Sequence, residues 1–225
     1  MLVLIDNANI KEIESLYADY PYDGVTTNPS ILKAAEENPI RLLKKIHDML
    51  PDGSQLHGQL VSATTDKMIE EAHFLLDYIG DDMYIKVPVT QEGMRAIPIL
   101  KKEGIHITAT AIYTPMQAFM AAKAGARYTA PYVNRLDNMG ADGVRVAMMI
   151  HDMFRAHNME ADVLAASFKN SQQILDLCLH GIGSVTAAPD VLRALIKHDA
   201  TFTAEENFTH DFFTLVNEIE GIHLK

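Results

Sequence analysis

Tyr84-Ile85-Lys86-Val87-Pro88-Val89 reads as a strand, the stretch from Gln91 to Glu103 has helical periodicity, and His106 to Tyr113 reads as a strand again. That strand, helix, strand unit recurs along the whole chain. The other candidate strands are Leu2 to Asp6, Gly24 to Asn28, Gln55 to Ser62, Tyr128 to Asn134, Asp162 to Phe168 and Ser184 to Ala188. Helical patterns lie near Asn9 to Tyr20, Pro29 to Leu50, Thr65 to Ile79, Pro115 to Gly125, Asp142 to His157, Ser171 to His180 and Pro189 to His198. Pro29, Pro115 and Pro189 fall where a first helical turn tolerates a missing N–H, and Gly104, Gly125 and Gly181 follow helical stretches. Eight such alternations within roughly 200 residues suit a (β/α)8 barrel better than an open doubly wound sheet.

With 225 residues, 48% apolar and 22% charged, the chain is long enough for one sizeable core, and residues 1–225 are read as a single barrel domain. After the eighth unit an extra helix is expected over 203–220, carrying Phe208, Phe212, Phe213, Val216 and Ile219 at helix-like spacing. A closed barrel has no interior place for that stripe, so it is expected on the barrel's outside or, preferably, on a neighbouring subunit. No stretch approaches a membrane span and the N-terminus lacks a signal-peptide pattern, so a cytoplasmic protein is expected. The formal net charge of -11 argues against a broad nucleic-acid surface but leaves room for a local basic pocket that binds a small anion. The single cysteine, Cys178, sits in an apolar-rich run and is read as inert core.

Lys86 is the one charge in its strand. A lysine buried in apolar surroundings has a depressed pKa and becomes an amine nucleophile suited to Schiff-base formation with a carbonyl. The plainer reading is a strand-end lysine with its stem on apolar surface and its head in water. Strand alternation weighs between them, since chemistry in such barrels gathers at the C-terminal strand ends. If Lys86 points inward, the same alternation places Leu2, Leu4 and Asp6 inward, then His57 and Gln59, then His106, Thr108 and Thr110. It places Tyr128, Ala130 and Tyr132 inward from the sixth strand, and Val163, Ala165 and Ser167 from the seventh. Asp6, Gln59, Lys86, Thr110, Tyr132 and Ser167 would then share one mouth. Each also has an ordinary structural reading. Asp6 could cap the next helix; Gln59, Thr110 and Tyr132 could be satisfied core polars; Thr26 to Ser30 could be a turn and cap; Arg135 and Lys169 could be surface charges. Convergence in phase at one end of consecutive strands favours a site.

The motifs carry a resemblance. Asp6-Asn7-Ala8-Asn9, Gly24-Val25-Thr26-Thr27-Asn28-Pro29-Ser30, Lys86-Val87-Pro88-Val89-Thr90, Ala130-Pro131-Tyr132-Val133-Asn134-Arg135 and Ala165-Ala166-Ser167-Phe168-Lys169 resemble the small transaldolase and fructose-6-phosphate aldolase group of class I aldolases. The resemblance covers essentially the whole chain. It implies a (β/α)8 barrel in which Lys86 forms the Schiff base and Asp6 is an acid/base residue. It also implies that Asn28, with Thr27 in the same motif, contacts substrate hydroxyls, and that Arg135 and Ser167 bind phosphate. It implies no metal or organic cofactor, a sugar phosphate as the small-molecule partner, and a homo-oligomer built as a pentamer or decamer. Transaldolases of the group typically carry glutamate where this chain has Gln59 and phenylalanine where it has Tyr132, so the pair points to an aldolase. The stretch Thr186-Ala187-Ala188-Pro189-Asp190 departs from the group's pattern, which expects a bulky apolar residue after the threonine.

The expected reaction is cleavage of fructose 6-phosphate to dihydroxyacetone and glyceraldehyde 3-phosphate, with a water held by Gln59, Thr110 and Tyr132 helping Asp6 to move protons. Transaldolase is the near alternative, and a barrel that binds sugar phosphates without turning them over is the alternative from another class. Ten scattered histidines without zinc spacing argue against a metal hydrolase, and no glycine-rich nucleotide motif is present.

Overall fold

The computed structural model describes residues 1–216. Eight parallel strands, β1 (Leu2–Asp6), β2 (Gly24–Thr26), β3 (Gln55–Gln59), β4 (Tyr84–Pro88), β5 (Ile107–Ile112), β6 (Tyr128–Pro131), β7 (Asp162–Ala165) and β8 (Ser184–Ala187), pair in chain order. The barrel closes where β8 returns to β1, in the register Leu2↔Ser184 to Ile5↔Ala187. Around it run α1 (Ile10–Asp19), α2 (Pro29–Ala34), α3 (Pro39–Met49), α4 (Thr65–Ile79), α5 (Gln91–Lys102), α6 (Pro115–Ala124), α7 (Val133–Asn138), α8 (Gly143–Ala156), α9 (Ser171–His180), α10 (Pro189–Ala194) and a C-terminal helix α11 (Asp199–Val216). The fold is a (β/α)8 barrel with an added C-terminal helix. No described helix is long and apolar enough to cross a membrane.

The alternating faces of the strands serve two different layers. Ile5, Val25, Leu56, Ile85, Val87, Ala109 and Val185 pack outward against helix residues such as Ile13, Leu43, Ile97, Ile150 and Leu177. Burying a large aliphatic side chain is worth about 1.5–3 kcal/mol, so this layer carries most of the hydrophobic stabilisation. Inside the barrel the apolar contribution is small, with Leu4, Tyr128 and Leu164 forming a separate cluster. The remaining interior is polar, which leaves β-strand ends free to present functional groups. Two glycines bring elements close: a Cβ at Gly93 would run into the Pro88 carbonyl oxygen, and one at Gly143 into that of Val133. Helix α5 is thereby held against the end of β4, and α8 against α7.

Several expectations need correction. The helical pattern of 29–50 splits at Asn38, whose side chain accepts from the N–H groups of Ile40 and Arg41 at 3.1 Å each while Pro39 starts α3; Glu36 turns the chain with φ 54°. The sixth strand stops at Pro131, and its expected end becomes α7, with Tyr132 as N-cap. On β7 the alternation is opposite to that expected. Val163 and Ala165 join the outer layer and Leu164 points inward. In-register partners of a parallel pair share a face, so inward Tyr128 opposite Asp162 forces the even positions of β7 inward. Cys178 is exposed rather than core, because α9 buries Ile174 and Leu177 and turns the next residue away. The final helix begins at Asp199, four residues before the expected start; its Phe208 and Phe212 are 71% and 52% exposed. Ile219 of the expected stripe lies outside the described residues.

Candidate active site

Lys86 points into the barrel near its C-terminal end and is 6% exposed. Its Nζ donates to the backbone carbonyl of Thr27 at 2.6 Å. Its ladder neighbours are Gln59 on β3 and Thr108 on β5. Burial pushes the amine's pKa below its ordinary value; the Asp6 carboxylate works against that shift and the Arg135 guanidinium adds to it. The result is an amine that sheds its proton more readily than a surface lysine does.

Asp6 ends β1 on the same interior face. Thr26 Oγ1 donates to Asp6 Oδ1 at 2.7 Å and lies 2.7 Å from Thr186 Oγ1. Burial raises the carboxyl's pKa, and Lys86, the Thr26 hydrogen bond and Arg135 pull it back. A carboxyl poised in this way can take or return a proton beside the amine. Thr26 and Thr186 had no assigned role in the sequence reading; both fall in the inward phase of short strands, which is the signal that would have found them.

Thr110 and Tyr132 meet: their hydroxyl oxygens are 2.9 Å apart. A bulge makes this possible, since Ala111 adopts φ 58° and the β5 to β6 register shifts between Ala109 and Ile112. The extra residue turns Ile112 out into the helix layer while Thr110 stays inside. Arg135, one turn further along α7, stacks its guanidinium 4.3 Å from the centre of the Tyr132 ring. Its charge reaches both Lys86 and Asp6. Ser167 sits at the rim through a left-handed backbone, φ 64°, rather than through strand phase, and its carbonyl accepts from Asn134 N–H at 2.6 Å. That bond ties the end of β7 to α7, beside Arg135.

Thr27 engages the site through its carbonyl, because its hydroxyl donates to the His57 carbonyl at 3.1 Å. Asn28 caps α2, with Oδ1 accepting from Ser30 and Ile31 N–H at 3.0 and 3.1 Å. The cap consumes the oxygen and leaves the amide N–H groups as donors. Gln59 shares the interior face with Lys86 and is partly exposed.

Beneath Lys86 the interior is filled by a polar floor that the sequence reading left without a role. The His57 ring is stacked on Tyr84 at 4.6 Å, with Nδ1 2.9 Å from Thr108 Oγ1 and Nε2 3.1 Å from Gln55 Oε1. Gln55 Nε2 donates on to the Tyr128 hydroxyl at 3.2 Å. Since the Gln55 oxygen faces the ring, Nε2 carries the proton and Nδ1 accepts from Thr108. Burial, and then Lys86, hold the imidazole's pKa well below its ordinary value, so the floor is neutral.

The described residues thus gather a buried amine, a carboxyl, a hydroxyl pair and a guanidinium at the C-terminal end of a closed parallel barrel. A family model described as Transaldolase/Fructose-6-phosphate aldolase matches residues 3–222 of the chain. The protein belongs to the transaldolase/fructose-6-phosphate aldolase family, whose members are Schiff-base-forming enzymes acting on sugar phosphates.

Proposed function

We propose that this member is a class I aldolase that reversibly cleaves fructose 6-phosphate to dihydroxyacetone and glyceraldehyde 3-phosphate. Neutral Lys86 attacks the C2 carbonyl, and loss of water leaves an iminium ion. Removal of the C4 hydroxyl proton breaks the C3–C4 bond, its electrons passing to the iminium nitrogen. Glyceraldehyde 3-phosphate departs and an enamine of the three-carbon ketone remains. A proton delivered to C3 and hydrolysis by water release dihydroxyacetone and restore the amine. Asp6, together with a water held by Gln59, Thr110 and Tyr132, moves the protons. Asn28 meets substrate hydroxyls, Thr27 holds the amine in place, and Arg135 with Ser167 and nearby backbone N–H groups receives the phosphate.

The observation that carries this reading over transaldolase is the Thr110–Tyr132 hydroxyl pair, 2.9 Å apart. Such a pair can hold and polarise a water that quenches the enamine, where phenylalanine would leave it waiting for a second aldehyde. The test compares release of free dihydroxyacetone from fructose 6-phosphate alone with turnover when erythrose 4-phosphate is added. Release without an acceptor supports an aldolase; a strong requirement for the acceptor makes the protein a transaldolase. Borohydride reduction with substrate present, followed by peptide mass analysis, separates both from a non-catalytic binding barrel, in which Lys86 gains no adduct. We further propose a homo-oligomer, a pentamer or decamer, in which α11 lies against a neighbouring copy; the exposed Phe208 and Phe212 support it.

A further inference from the structure

Thr186 opens the stretch in which β8 departs from the pattern of the group, and its position gives the stretch a use. It is 2% exposed and Thr26 is fully buried, so neither hydroxyl has bulk water as a partner. Thr26 Oγ1 stands 2.7 Å from Asp6 Oδ1 and 2.7 Å from Thr186 Oγ1. A hydroxyl has one hydrogen and an ionised carboxylate has none. Thr26 therefore donates to Asp6, and the hydrogen between the two threonines comes from Thr186. With Asp6 ionised, the direction is β8 to β2 to β1.

We propose that Thr186 is a positioning residue for Asp6, the head of a two-hydroxyl chain that fixes Oδ1, favours the ionised carboxylate and leaves Oδ2 for proton transfer. A donor that itself accepts a hydrogen bond is polarised into a stronger donor, so Thr186 acts on Asp6 through Thr26. The chain also discriminates between charge states. A proton gained on Oδ2 leaves the chain in place, but the neutral carbonyl Oδ1 then accepts the Thr26 hydrogen bond more weakly than a carboxylate oxygen does. The charged groups facing Asp6 are Lys86 from β4 and Arg135 from α7; both also favour the carboxylate, and burial opposes it. Small Ala187 and Ala188 follow without disturbing this hydroxyl: Ala187 packs into the outer layer and Ala188 stands at the N-cap position of α10 without a side-chain cap. The inference rests on the reading of Asp6 as a residue that moves protons.

The experiment titrates 13C-labelled aspartate carboxyls by NMR in wild type, Thr186→Val and Thr186→Ser, with Asp6→Asn identifying the resonance. Thr186→Val should move the Asp6 midpoint to higher pH and lower kcat roughly five-fold, the worth of one ordinary hydrogen bond, with little change in KM. Thr186→Ser should restore both. An Asp6 midpoint unchanged in folded Thr186→Val would overturn the proposal and make Thr186 a packing residue. Thr186→Ala, smaller than the native side chain, gives the same reading if valine prevents folding. The titration does not depend on turnover, so absence of a borohydride adduct on wild-type Lys86 would sink the aldolase reading while the role of Thr186 is still decided.

Discussion

The barrel mouth and helix α11 invert the usual order of a globular protein in opposite ways. At the mouth a lysine, an aspartate and several hydroxyls lie inside, with Lys86 at 6% exposure and Thr26, Thr108 and Thr110 at 0%. On α11 the large apolar side chains lie outside, with Phe202, Phe208 and Phe212 at 54%, 71% and 52% exposure. The first inversion is completed within one chain: Lys86 finds the Thr27 carbonyl, Asp6 finds Thr26, and Thr110 finds Tyr132. Among the described residues the second is not, and each uncovered aromatic forgoes about 1.5–3 kcal/mol of burial. Polar groups gathered at the strand ends fit the proposed site; the apolar groups exposed on α11 among the described residues fit the proposed subunit contact.

The sharpest way to break this contrast is at Lys86. Lys86→Met should lower turnover by more than about 10³-fold and abolish the reduced adduct in mass analysis, since methionine has no amine with which to form the imine. The same change should stabilise the fold, by roughly 0.5–2 kcal/mol near neutral pH, as loss of strained functional groups commonly does. The pH dependence has a definite sign. The folded-state pKa of Lys86 is lowered, so burying the ammonium costs stability in full below that pKa, and the cost fades as pH rises towards 10.5. Melting curves of the two proteins should converge at alkaline pH. A methionine variant that still turns over would end the proposed mechanism.

A smaller effect is expected from Arg135→Gln. Removing the guanidinium should raise KM for fructose 6-phosphate about ten- to a hundred-fold while leaving use of unphosphorylated dihydroxyacetone nearly unchanged. It also removes a cation that lowers the pKa of Lys86, so the acid limb of kcat/KM should move to higher pH. Steady-state kinetics over a pH series reads both; an unmoved limb would show that Arg135 does not act on the amine. The mildest change concerns the other half of the comparison. Replacing Phe208 and Phe212 by serine should leave the far-UV signature of the barrel intact and shift sedimentation towards smaller species. An unaltered sedimentation profile would remove α11 from the subunit contact.

Much of this molecule is legible in one dimension, and the illegible parts share a cause. Lys86, Gln59 and Thr110 were placed inward by strand alternation, because a clear polar and apolar pattern along a half-polar strand carries its own phase, and Asp6 by its place as the one polar residue at the end of β1. The run Asp162-Val163-Leu164-Ala165-Ala166 is apolar almost throughout and carries none, so the facing of β7 was misread. Thr26 looked like a turn residue because its hydrogen-bond partners lie on β1 and β8. Arg135 was found by motif rather than by pattern, since the helix that carries it, α7, is six residues long and too short to show a period.

Local chemistry along the chain determined the strand and helix alternation, the barrel it implies and the groups proposed for carbonyl chemistry, because each reading depends on residues within a turn or a strand of one another. Tertiary packing decided the rest: which face of β7 is inside, the bulge at Ala111 that keeps Thr110 within reach of Tyr132, the exposure of Cys178, and the contact between the Thr26 and Thr186 hydroxyls beside Asp6. Those depend on register between paired strands and on the packing of whole elements, which no single segment of sequence carries, and the contact of Thr186 with Thr26 needs in addition the pairing of the eighth strand with the first.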